Sequence, residues 1–116
     1  MQHDVAKYLF DIHTAAKDVQ QFVVGVSFDE YHVDRLIKAA VERKFEIIGE
    51  AMNRLAGTSP DAVGQIREFE KIIAFRNLVI HGYDVVSDPL VWDVIHNKLP
   101  LLVEDIEELQ RRHPPA

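Results

Sequence analysis

The chain has 116 residues, 47% hydrophobic and 28% charged, which fits one globular domain burying roughly two-thirds of the surface its unfolded chain exposes. It has no cysteine, so disulfides, thiolate metal sites and cysteine nucleophiles are excluded. Nineteen acidic against 13 basic side chains give a net charge of −6, a field that repels phosphate backbones and excludes broad nucleic-acid coating. RNA contact through a few cations converging in one cleft stays open.

No apolar run reaches the roughly 20 residues of a membrane span, and Met1–Lys7 lacks the basic-then-apolar order of a secretion signal. A cytoplasmic protein without membrane contact is expected. In chain order, Val5, Leu9, Ile12, Ala16, Val19 and Val23 recur at steps of three and four and predict a helix over about 4–24, stopped by Gly25. Ser27 with Glu30 reads as a capping box opening a second, long helix over about 29–56. Its seam is Ile37, Val41, Phe45, Ile48, Met52 and Leu55, with a second apolar line through Leu36, Ala40, Ile47 and Ala51 that makes it central.

Gly57 ends that helix, and Ser59-Pro60-Asp61 supplies N-cap, first-turn proline and first-turn carboxylate for a short helix to about Ile66. From about Arg67, Phe69, Ile72, Ile73 and Phe75 resume helical spacing, which continues through Ile80 to Gly82. Val79 and Ile80 also suit a buried strand, but no partner strand is visible to pair its backbone groups. Ser87 or Asp88 before Pro89 announces the last helix, with Trp92 as a core anchor followed by Ile95, Leu99, Leu102, Ile106 and Leu109. Pro100 inside it frees the His96 carbonyl and predicts a kink. The sum is an all-α, up-and-down four-helix bundle with one extra short helix, a single domain over residues 1–113 and a frayed tail over 114–116.

Chemistry concentrates in Arg76-Asn77-Leu78-Val79-Ile80-His81-Gly82-Tyr83. His81 titrates near neutrality and can move a proton to or from a hydroxyl; Arg76 offers a fork of donors for phosphate; Asn77 can orient His81 or donate to a phosphate oxygen. RNA supplies its own 2′-hydroxyl nucleophile, so such a site needs no metal or cofactor. On one regular helix, however, Arg76 and His81 lie about 140° apart around the axis, whereas Asn77 and His81 share a face. A joint site requires a bent arginine, a helix that ends early, or a second copy of the motif from a dimer partner.

The plainer alternative is that Arg76 pairs with a carboxylate and His81 complements the helix dipole. Glu42, Glu46 and Glu50 line one helix face beside Arg43, where they form a solvated face or an ion-pair rail or, less favoured, a divalent-metal site. In a dimer, Glu46 or Glu50 is placed to neutralise Arg76 across the interface. His3, His13, His32, His96 and His113 show no ligand spacing and are assigned to the surface.

Arg76, Asn77 and His81, with Tyr83 two places beyond, resemble the HEPN superfamily and within it the HepT-like toxins. Ala40–Arg43 and Glu46–Ala51 are similar to that family's second helix, and Val91, Trp92, Asn97, Leu99 and Pro100 to its last, so the likeness spans about residues 8–109. The resemblance implies a homodimer whose composite cleft cleaves RNA without metal, with Arg76, Asn77 and His81 as catalytic residues. It also implies a partner, a small nucleotidyltransferase antitoxin that adds AMP units from ATP to Tyr83. The competing assignment is a non-catalytic helical module, or a substrate-binding subunit, that docks such a transferase.

Overall fold

A computed structural model describes the backbone of residues 2–81 and 87–115 and the side chains of residues 4–79 and 87–115. Its elements are α1 (Gln2–Phe22), α2 (Phe28–Val33), α3 (Arg35–Thr58), α4 (Pro60–Val63), α5 (Phe69–His81), α6 (Asp88–Asp93), a π-helical turn (Val94–Lys98) and α7 (Leu99–Arg112). No strand occurs among the described residues. No described helix is long and apolar enough to cross a membrane.

All six residues of the first predicted seam are buried, and they face Val41, Phe45, Ile48, Met52 and Leu55 of α3. The α1–α3 pair is therefore the foundation, extended by α5 against α3 and by α7 against α1. Tyr31 of α2 is fully buried beneath Trp92, which is only half-buried and rests on Tyr31 with ring centroids 5.1 Å apart. The core anchor expected at Trp92 thus sits at the rim, and Tyr31 takes the interior place. Leu36, assigned to a second apolar line, is 81% exposed.

Three predicted boundaries change for local reasons. The long helix expected over 29–56 breaks at Asp34, whose side chain accepts from the N–H groups of Leu36 and Ile37 and so caps a new helix. The Ser27–Glu30 capping box that opens α2 is present as expected. Helix α5 starts at Phe69 rather than Arg67 because Glu68 adopts a left-handed φ of 57° before it. Both the backbone N–H and the guanidinium of Arg67 hold Asp105 of α7, fixing this turn. Finally, the last predicted helix is divided: a π turn over Val94–Lys98 follows α6, and Pro100 falls in the first turn of α7, where its missing N–H is tolerated. With α2 separate from α3 and α6 set off from α7 by the π turn, the described residues hold three short α-helices, α2, α4 and α6, where one was expected.

Helices α3 and α5 approach closely at one point. A Cβ built on Gly49 would lie 2.0 Å from Cβ and 2.2 Å from Cγ of Arg76, so only glycine admits the arginine stem at this crossing. Phe75 adds an edge-to-face contact with Phe45, ring centroids 5.0 Å apart. At the other side of the bundle, the Asp88 carboxylate receives Lys38 Nζ at 2.8 Å and His32 Nδ1 at 2.7 Å, tying α6 to α2 and α3. Burial pushes that carboxyl up, but the hydrogen bonds from Lys38 and His32 outweigh it and hold its pKa below the ordinary value.

Two outcomes are expected. Gly49→Ala forces α5 away from α3 and lowers stability by about 2 kcal/mol, read as a drop in thermal midpoint of roughly 8–16 °C. The ionised Asp88 is the bound form, so its contribution is complete above the ordinary carboxylate pKa and is lost as pH falls through the depressed one. Urea midpoints of the wild type should therefore fall more steeply than those of Asp88→Asn between about pH 5 and pH 2; parallel curves would remove this cluster from acid sensitivity.

Candidate active site

Arg76 occupies the third turn of α5, and Asn77 follows it on the exposed side. With Gly49 admitting its methylenes, the Arg76 chain crosses α3 and its Nη2 donates to Glu50 Oε2 at 3.0 Å. Nη1 donates to Asn77 Oδ1 at 3.1 Å. Its Nε is buried with no hydrogen-bond partner among the described residues. Asn77 is thus engaged by its neighbouring arginine, with its amide nitrogen left as a donor for something else.

The carboxylate partner of Arg76 comes from its own protomer. Of the two supporting acids, Glu50 makes the contact and Glu46 does not, because Glu46 Oε2 accepts from Arg43 Nη1 at 3.2 Å. The reason is the crossing at Gly49: the residue beside it on α3 is the one that meets the guanidinium, so no second subunit is needed to neutralise Arg76. Two of the three acids in the line on α3, Glu46 and Glu50, are held in ion pairs. Burial, as the main cause, raises the pKa of Glu42. Among the described residues no group of three acidic or imidazole side chains is arranged to hold a metal ion.

Glu50 has a second partner, since its Oε1 accepts from Arg54 Nε at 3.0 Å. One carboxylate therefore lies between two guanidiniums. These groups line a groove of about 340 Å³ between α1, α3 and α5, with Lys7, Tyr8, Asp11, Arg43 and Glu46 completing its walls. Four cations face three carboxylates in this groove, the reverse of the acidic balance of the whole chain. Arg54 and Tyr8 carried no flag in the sequence. The i,i+4 spacing of Glu50 and Arg54 was a usable signal, but only the packing of α1 on α3 brings Tyr8 to the same groove.

Helix α5 remains helical to His81, which removes an early helix end as the means of joining Arg76 and His81. Their backbone positions are five residues apart on one continuous helix, about 140° around its axis. The His81 side chain and all of Tyr83 lie outside the described residues. Of the remaining histidines, His13 meets Glu107 at 2.9 Å and His32 meets Asp88, and neither lines the groove.

The sequence profile of the Ribonuclease HepT-like family matches residues 12–109. A candidate RNase of Methanocaldococcus jannaschii is 32% identical over 106 residues, covering 91% of this chain and 87% of its own. A second candidate RNase of the same organism is 27% identical over 106 residues, covering 91% and 96%. The probable ribonuclease HepT of Thermococcus cleftensis is 26% identical over 111 residues, covering 96% of this chain and 100% of its own. No solved structure gives a significant match. With a family profile spanning most of the chain and the all-α bundle it calls for, this protein belongs to the HepT-like ribonucleases of the HEPN superfamily.

Proposed function

We propose that this chain is an endoribonuclease that needs no metal, the toxin of a toxin–antitoxin pair working in the cytoplasm as a homodimer. Arg76, Asn77 and His81 are its catalytic residues, and Tyr83 is the acceptor of AMP from a partner nucleotidyltransferase that silences it. The observation that carries this reading is the Arg76 guanidinium, pinned by Glu50 at the wall of a locally cationic groove on the helix that continues to His81. Relatives named as RNases or as a ribonuclease HepT support the same substrate class.

The chemistry follows from the residue types. An imidazole at His81 removes the proton of a 2′-hydroxyl, whose oxygen then attacks the adjacent phosphorus. The bond from phosphorus to the 5′-oxygen breaks, and that oxygen takes a proton from an imidazolium, leaving a 2′,3′-cyclic phosphate and a free 5′-hydroxyl. Arg76 stabilises the charge that grows on the non-bridging oxygens, and the Asn77 amide donates to one of them. Because His81 and Arg76 sit on different sides of α5, two antiparallel copies of that helix are the simplest way to supply both acid and base to one phosphate.

Two measurements test this. In chelator, purified wild type should cleave single-stranded RNA, with His81→Ala slower by about 10²–10⁴-fold and Arg76→Ala by about 10²–10³-fold. Cleavage that survives intact in His81→Ala, or that chelator abolishes in the wild type, would overturn the assignment. Incubation with a partner nucleotidyltransferase and ATP should add adenylate masses to the wild type and none to Tyr83→Phe; equal addition to both removes Tyr83 as acceptor.

A further inference from the structure

Beyond the phosphate at which the chain is cut, we infer that the groove between α1 and α3 carries the continuing RNA strand, with Arg54 binding the neighbouring phosphate and Tyr8 supporting a base. This rests on the ribonuclease reading and extends it to how the substrate is held.

The charge arrangement points there. In this groove Lys7 is paired with Asp11 at 2.8 Å and Arg43 with Glu46 at 3.2 Å, each cation with its own carboxylate. Arg54 and Arg76 have only Glu50 between them. One positive charge is left uncompensated among these pairs, on two guanidiniums that line a space of about 340 Å³. A phosphodiester carries one negative charge and presents two non-bridging oxygens to such a fork.

A carboxylate gripping one guanidinium on each oxygen also holds them side by side, close enough to meet consecutive phosphates of one strand. The Arg54 side chain is 61% exposed, so it can turn a donor face to solvent without leaving Glu50. Tyr8 approaches the same guanidinium and is half-buried, packed against the core while lining the groove. An aromatic ring beside a cationic track is what single-stranded nucleic acid uses irrespective of sequence. Glu50 acts here as a positioning residue: it orients both arginines and does not meet the substrate.

The test separates this groove from the chemistry. A labelled 12-nucleotide oligouridylate is titrated against His81→Ala protein, which does not consume it, across a range of salt. Adding Arg54→Ala should weaken binding about tenfold and lower the slope of log affinity against log salt by about 0.7–1, the signature of one lost phosphate contact. Arg54→Lys should keep that slope, and Tyr8→Ala should weaken binding about tenfold with the slope intact. Arg112→Ala, an exposed charge away from the groove, serves as control. Affinity and slope unchanged in Arg54→Ala, or equally changed in Arg112→Ala, overturn the proposal. Cleavage of the same RNA by the unmodified chain is scored separately, so failure of the nuclease reading shows there while failure of the groove shows in the slope.

Discussion

The arrangement depends on how near two helices can come. Gly49 lets α5 lie against α3 with the Arg76 methylenes where any other side chain would begin, and Glu50 is then the next group along α3 that the guanidinium meets. A larger residue at position 49 would separate the helices and move the arginine off its carboxylate. The glycine therefore sets the position of a charged group some bonds away, through packing and not through backbone freedom. Phe75 on Phe45 makes the same contact rigid from the apolar side.

The Arg76–Glu50 pair contributes orientation more than stability. With side chains 26% and 42% exposed, it belongs with partly solvated ion pairs worth at most about 1 kcal/mol. A weak pair is useful in this position. It keeps the guanidinium aimed while it waits, and it leaves N–H donors that a phosphate can claim without breaking a strong native contact. A deeply buried pair would lock the arginine and set a large desolvation cost against any exchange of partners.

An acidic protein that handles RNA must confine its attraction to one place. The surface acids of this chain sit largely in local pairs, such as Glu108 with Arg111 and Arg112, and Glu68 with Lys71 and Lys98. In the groove between α1, α3 and α5 the count tips toward positive charge, four cations against three carboxylates. That pattern favours a strand entering one cleft over a strand coating the surface, in keeping with the weak non-specific attraction expected from a net charge of −6.

Much of the bundle was legible from the chain alone, because three- and four-residue spacing of Val5 to Val23, Val41 to Leu55 and Ile95 to Leu109 obliges each helix to bury one face. The Arg76 to Tyr83 cluster stands out in the chain as contiguous and chemically distinctive, and its role is the one proposed above. The break at Asp34 was missed because its apolar pattern runs on across the capping residue, and Trp92 was misplaced because size suggests burial where Tyr31 in fact fills the space. What only tertiary structure could decide was which acid Arg76 meets and what else shares that acid. Glu46 and Glu50 are equivalent in spacing and charge, and a crossing point between helices 26 residues apart in sequence chooses between them. The sequence by itself determined the helices; the distance between α3 and α5, set by the missing side chain at Gly49, decided which acid meets Arg76.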